Sequence, residues 1–111
     1  MTQRSDVLRG TLDLMILHTL DLRPMHGYGI AQRLELVTGG AVEVSPGSLF
    51  PALYRLEHRG WVRGKWGESD KGRRARYYAL TPAGRRQLGV EKDNWDRVAL
   101  AIHRIVEGSR G

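Results

Sequence analysis

The spacing of apolar residues along this 111-residue chain predicts two helices before residue 39. The first runs from about Asp6 to Leu22 and the second from about Tyr28 to Thr38. A turn over residues 23–27 separates them, because Pro24 disfavours helical geometry at the residue before it. The predicted buried residues of the second helix are Ile30, Leu34 and Val37.

A third helix follows, and its start has two alternatives. With Ser45 as N-cap, Pro51 would lie inside the helix at a cost of roughly 3 kcal/mol. With Ser48 as N-cap, Pro51 falls in the first turn, where a missing N–H costs little. We therefore predict a distorted turn at residues 46–47 and a regular helix from about Leu49 to Arg59.

A β-hairpin comes next, after Gly60 as the predicted C-cap of the third helix. Its strands are predicted at Trp61 to Trp66, whose residues alternate in character, and at Arg73 to Leu80, which is rich in aromatic and basic residues. The polar, glycine-containing segment between them, residues 67–72, has the composition of a turn.

Thr81 and Pro82 have the pattern of an N-cap followed by proline at the first helical position, and they predict a last helix reaching about Glu107. Such a helix would be about 39 Å long. Its apolar residues form a near-heptad seam that a domain this small can hardly cover, which favours a homodimer. The alternative is an amphipathic helix folded onto its own domain. The seam consists of Leu88, Trp95, Val98, Ala99, Ile102, Ile105 and Val106.

The charge of the chain is positive and concentrated around the hairpin. With 18 Lys and Arg against 12 Asp and Glu, the net charge is +6. Residues 45–78 hold eight of the basic and only three of the acidic residues. A basic cluster of this kind favours a polyanionic partner, most often nucleic acid. The lack of cysteine, of a signal peptide and of a long apolar run favours a soluble, cytoplasmic protein without a membrane partner.

Catalytic patterns are not found in the sequence. The four histidines, His18, His26, His58 and His103, lack metal-ligand spacing, and no nucleophile motif or phosphate-binding glycine loop occurs. We therefore predict that the protein is not an enzyme and needs no cofactor or metal. His26 is expected to cap the second helix.

The third helix and the hairpin contain the residues expected to contact DNA. If Leu49, Leu53 and Leu56 are buried, the opposite side of the helix can enter a major groove. The hairpin would lie along the backbone. The predicted contacts are Gly47, Ser48, Phe50, Pro51, Tyr54 and Arg55 on the helix, and Lys71, Arg73, Arg74 and Arg76 on the hairpin.

Each of these residues also has a purely structural explanation. Tyr54 could shield the edge of the core, Ser48 could only cap the helix, and Phe50 could pack on the next element instead of touching thymine methyls. Strand alternation places Arg74 and Arg76 on one face of the hairpin, and one face must pack down. The tip, Lys71 to Arg74, is therefore the preferred phosphate contact.

Four motifs in order give the chain a resemblance to the PadR family of winged-helix transcriptional regulators. They are residues 10–17 (GTLDLMIL), 26–30 (HGYGI), 47–57 (GSLFPALYRLE) and 72–84 (GRRARYYALTPAG). The resemblance implies a mainly α fold with a small β-hairpin wing, that is, a winged helix-turn-helix over residues 1–81 and a C-terminal dimerisation helix over 82–111. The single short C-terminal helix looks like the smaller subfamily.

The resemblance further implies a homodimer that binds an inverted-repeat operator in double-stranded DNA, usually as a repressor. Tyr28, in the second motif, is added to the DNA contacts. Phe50 stands where the family usually has tyrosine. In some relatives a small aromatic effector binds beside a tryptophan comparable to Trp95, for which dimer packing is the alternative role. The alternative function is a winged helix used for protein or RNA contacts.

Overall fold

The structure is a computed structural model that describes the backbone of residues 4–108 and the side chains of residues 11–108. It consists of four helices and a three-stranded sheet, as predicted for a winged helix-turn-helix with a long C-terminal helix. The elements in chain order are α1 (Arg4–Leu22), β1 (Met25–His26), α2 (Gly27–Val37), α3 (Pro46–His58), β2 (Val62–Glu68), β3 (Arg74–Leu80) and α4 (Pro82–Gly108).

The predicted start of α3 was wrong, because the helix takes the Ser45 register. The carbonyl of Ser45 accepts hydrogen bonds from the N–H groups of Ser48 (3.0 Å) and Leu49 (2.9 Å), so the residues around Pro46 form a regular first turn. Pro51 lies inside the helix and leaves the carbonyl of Gly47 without its helical donor. Because Gly47 is exposed, water can take the place of that donor.

The sequence did not predict β1, which occupies part of the expected turn over residues 23–27. It pairs antiparallel with β3, Met25 opposite Tyr78 and His26 opposite Tyr77, and gives the sheet the order β1-β3-β2. A strand of two residues is too short for an alternating pattern of apolar and polar residues to be recognised in the sequence. The cap at His26 is confirmed, since its Nδ1 accepts a hydrogen bond from the Gly29 N–H at 3.0 Å.

The core lies where α1, α2 and α3 meet the inner face of the sheet. Ile30 and Leu34 of α2 are buried as predicted, but Val37 is 64% exposed. Val37 is the last residue of α2, and the chain turns away at residues 38–40 without covering it. The buried apolar residues are Ile16, Leu17, Leu20, Met25, Ile30, Leu34, Leu49, Ala52, Leu53, Leu56, Val62, Tyr78 and Leu88.

The hairpin of β2 and β3 is the wing, and its turn is shorter than predicted. The strands pair over seven residues each, from Val62 opposite Leu80 to Glu68 opposite Arg74. Gly72 adopts φ +73°, a left-handed conformation that closes the turn, and the Ser69 N–H donates to the Arg73 carbonyl at 2.7 Å.

The start of α4 packs on residues 60–61, which connect α3 to β2. Thr81 caps α4 as predicted: its Oγ1 accepts from the Gly84 N–H (3.0 Å) and donates to the Gly60 carbonyl (2.6 Å). Gly84 touches the backbone of Trp61 so closely that a Cβ there would lie 2.8 Å from the carbonyl carbon. Only glycine fits this crossing of helix and strand.

Leu88 differs from the rest of the predicted seam, because it is 7% exposed and belongs to the chain's own core. It lies one turn after Gly84, where α4 still packs on the body of the domain. From Lys92 to Gly108 every residue of α4 is exposed. The exposed part of the seam therefore begins after Leu88.

No helix in the described part of the chain is long and apolar enough to cross a lipid bilayer.

We expect two alanine substitutions in α4 to have opposite effects on the free energy of unfolding. Gly84→Ala should lower it by roughly 1–3 kcal/mol, because the added Cβ meets the rigid backbone of Trp61. Gly89→Ala should raise it by about 0.5–1 kcal/mol, because a Cβ at Gly89 meets nothing within 4 Å and alanine favours a helix. Urea unfolding followed by circular dichroism at fixed protein concentration measures both. If Gly84→Ala raised the free energy of unfolding as much as Gly89→Ala does, the close contact at Gly84 would be unimportant.

Candidate nucleic-acid interface

One side of α3 is open to solvent along its length. Opposite the buried stripe of Leu49, Leu53 and Leu56 lie Gly47, Pro51, Tyr54 and His58, all exposed as the helical spacing predicted. Tyr54 is 72% exposed, and its ring stacks on that of His58, with the centroids 6.2 Å apart and the planes 9° from parallel. Two rings one turn apart thus present a flat surface to the exterior.

Ser48 and Phe50 border this surface on either side. Ser48 does not cap the helix, and its exposed hydroxyl accepts a hydrogen bond from the Ser45 hydroxyl at 3.4 Å. The ring of Phe50 packs on the first residue of α2: a Cβ on Gly27 would lie 2.9 Å from Cε1 of Phe50. Phe50 is nevertheless half exposed, and its contact with DNA stays a prediction.

Arg55 is held from within the chain. Its guanidinium donates to Oδ1 of Asp13 on α1 at 2.9 Å, and both side chains are mostly covered. Burial raises the pKa of Asp13 above its usual value, because desolvation outweighs the attraction of the Arg55 charge. The pair links α1 to α3 and fixes the direction of the arginine at the edge of the exposed surface.

The wing presents basic side chains at its tip and along β3. Lys71, Arg73 and Arg74 are exposed, and the Arg74 guanidinium lies 4.9 Å from the centroid of the Trp66 ring. Arg76 is different, because it forms an ion pair with Glu57 on α3. Its role as a DNA contact stays a prediction, but its guanidinium is already paired with the carboxylate of Glu57.

The start of α2 adds an exposed aromatic side chain next to β1. Tyr28 is exposed, and its ring stacks on His26 with the centroids 6.4 Å apart. His26 also meets the edge of Tyr77 on β3 at 5.3 Å. Sequence reasoning missed this cluster, because only the pairing of β1 with β3 brings Tyr77 to the second helix.

The exposed part of α4 carries the remainder of the predicted seam. Trp95, Val98, Ala99, Ile102, Ile105 and Val106 are all exposed. Trp95 also borders a groove of ≈ 740 Å³ between α1, α2 and α4, whose apolar lining includes Leu14, Met15 and Leu34. The chain therefore leaves an apolar helix face and the adjoining groove uncovered.

Comparison with known proteins agrees with this geometry. The model of the "Transcriptional regulator PadR-like family" matches residues 16–90, more than half of the chain. A transcriptional regulator of Mycobacterium tuberculosis is 35% identical over 94 residues, which span 85% of this chain and 84% of that protein.

Solved structures share the fold. A transcriptional regulator from Clostridium thermocellum superimposes with a TM-score of 0.82 at 30% identity, covering 91% of this chain and 98% of that one. A PadR-like transcriptional regulator from Bacillus cereus gives a TM-score of 0.77 at 28% identity over 90% of this chain and 95% of its own. Members of the matched family regulate transcription and are not enzymes, as the sequence predicted. With its exposed α3, basic wing and long last helix, this chain belongs to the PadR-like family of transcriptional regulators.

Proposed function

We propose that this protein is a sequence-specific repressor that binds an inverted-repeat operator in double-stranded DNA as a homodimer. The observation that carries the proposal is the exposed side of α3, opposite its buried stripe and next to a basic wing. Membership of a family of transcriptional regulators supports DNA as the partner.

In this proposal the first half of α3 enters the major groove. Ser48, Pro51 and Tyr54 face outward there and would meet base edges, as the N-terminal part of a recognition helix usually does. Gly47 has no side chain to keep a phosphate from its own backbone N–H in the first turn of the helix. Arg55, oriented by Asp13, would lie at the edge of the groove.

The wing supplies contacts that do not depend on sequence. Lys71, Arg73 and Arg74 are exposed cations near the turn, and cations of this kind bind phosphates with release of counterions. Such contacts set the register of the protein on the duplex, while α3 selects the bases.

The exposed seam of α4 supports a symmetric dimer. A helix whose apolar residues stay exposed from Trp95 onward lowers its free energy by pairing with a second copy. A two-fold dimer presents two α3 helices related by the same symmetry, and its operator is then an inverted repeat. An aromatic effector beside Trp95 stays a prediction from the family resemblance, and dimer packing explains the exposure of this residue as well.

A winged helix used for RNA or protein contacts is the alternative function. The basic wing suits any polyanion, but the deep and narrow major groove of duplex RNA does not admit a helix. Competition between duplex DNA and duplex RNA of the same sequence separates these possibilities. Preferential displacement by RNA would overturn the DNA proposal.

We expect the double variant Arg73→Gln and Arg74→Gln to weaken binding to all DNA sequences by a similar factor. Loss of two phosphate contacts should reduce the slope of log K against log salt concentration by about 1.8. Fluorescence anisotropy across a salt series, with operator and scrambled duplexes, measures both quantities. The matched control is Arg97→Gln with Arg104→Gln on α4, which removes the same charge far from the wing and should leave the slope unchanged. If the variant instead lost affinity only for duplexes with one particular operator base pair, one of the wing arginines would be a base contact.

We expect Ile102→Glu to convert a dimer into a monomer at micromolar concentration, because it buries a carboxylate in the proposed seam. Sedimentation velocity measures the change, and circular dichroism checks that the fold is retained. Leu100→Glu is the matched control: it makes the same change on an exposed leucine on the other side of α4 and should stay dimeric. A monomeric wild type would contradict the proposed assembly.

A further inference from the structure

The side chain of Arg76 on β3 reaches across β2 to α3. Its guanidinium pairs with Oε2 of Glu57 in the last turn of α3, and each side chain is 34% exposed. The guanidinium carbon also lies 5.9 Å from the ring centroids of both Trp66 and Tyr78. No other ion pair in the described part of the chain joins the wing to a helix.

A glycine in the neighbouring strand provides the space for this arrangement. Gly64 on β2 lies opposite Tyr78, and a Cβ at Gly64 would fall 2.6 Å from the guanidinium carbon of Arg76. Any larger residue would push the guanidinium out of its place. The strand therefore has its smallest residue at the position that the arginine crosses.

We propose that Glu57, Arg76 and Gly64 form a clamp that sets the position of the wing against α3, and that Arg76 is a positioning residue for DNA binding. The proposal rests on the proposed function, because the wing and α3 must meet the same duplex in a fixed relation. In this proposal Arg76 does not make the phosphate contact that the sequence predicted, but positions the wing residues that contact phosphate.

The clamp matters because the described packing of the wing on the helices is at its base, through residues such as Val62 and Tyr78. The chain joins β2 to α3 through residues 59–61, and β1 supports β3 over only two residues, opposite Tyr77 and Tyr78. From Trp66 to Arg76 the hairpin extends beyond β1. The pair at Glu57 holds the hairpin where this free part begins, so a small rotation there would displace the tip and its cations.

The first test uses the sign of the effect of Glu57→Gln. Removal of an acidic group next to a DNA-binding surface should strengthen binding if only charge mattered. The clamp predicts the opposite: Glu57→Gln and Arg76→Gln should each weaken operator binding by about fivefold, and the double variant by no more than either one, because both break the same contact. Tighter or equal binding by Glu57→Gln would overturn the clamp.

The second test breaks the clamp without any change of charge. Glycine weakens the interior of a strand, so Gly64→Ala should stabilise β2 if the position of the Arg76 guanidinium had no effect on DNA binding. With the clamp, it should weaken operator binding as much as Glu57→Gln does and leave the salt slope unchanged, because no phosphate contact is lost. Unchanged affinity in Gly64→Ala would count against the clamp.

Arg74→Gln is the matched control for Arg76→Gln. Both substitutions remove one arginine from the same face of β3, but Arg74 is exposed and has no ion pair in the described chain. Arg74→Gln should reduce the salt slope by about 0.9, and Arg76→Gln should not. Equal reductions would make Arg76 a phosphate contact and refute its positioning role.

Hydrogen exchange on the free protein separates failure of the clamp from failure of the proposed function. Glu57→Gln, Arg76→Gln and Gly64→Ala should each speed exchange of the amides in the outer hairpin, residues 66–74, and Arg74→Gln should not. If the wild type binds no duplex but these three variants lose protection, the clamp stands and the DNA proposal fails. If exchange is unchanged in all of them, the clamp is refuted whatever the DNA result.

Discussion

Burial of one side of α3 holds the other elements in place. Leu53 and Leu56 are completely covered, and α1, α2 and the sheet all pack against this stripe. Because so short a chain can cover only one side of this helix, the opposite side must remain in water. The same packing that stabilises the fold therefore leaves Tyr54 and His58 exposed. In the proposed function, this exposed side of α3 is the one that meets DNA.

The position of the wing depends on weaker and more local contacts. Its base is fixed by strand pairing and by the crossing of Gly84 over Trp61, where backbone meets backbone. Further out, the Glu57–Arg76 pair is the described ion pair between wing and helix. A partly exposed ion pair adds little to overall stability. In the proposed clamp, the pair contributes by fixing the orientation of the wing, and the Arg76 guanidinium also lies near the rings of Trp66 and Tyr78.

The last helix divides into two parts with different physical surroundings. Its first turns are covered by the domain through Gly84 and Leu88, and its later turns expose an apolar face from Trp95 to Val106. The first part decides how α4 leaves the body of the domain. The second is surface that the monomer leaves uncovered, which is why we assign it to a second copy of the chain.

Local patterns in the sequence were sufficient for the helices, the hairpin and the exposed side of α3, because helical and strand periodicity are set by neighbours in the chain. Caps at His26 and Thr81 were equally readable, since each side chain bonds to a backbone group three residues away. The order of four motifs was enough to indicate the family, and the matches to known regulators confirm it.

Contacts between distant residues were decided by the tertiary structure alone. The two-residue strand β1 has no pattern of its own and exists because β3 lies beside it. The start of α3 follows the Ser45 register, and the exposure of Gly47 allows water to replace the hydrogen bond that Pro51 removes. In the sequence Leu88 belongs to the heptad seam, but in the structure it is buried in the core of its own domain. Arg76 and Arg74 are alike in the sequence, and the approach of Glu57 from α3 gives an ion pair to Arg76, because pairing of charges depends on distance in space rather than along the chain.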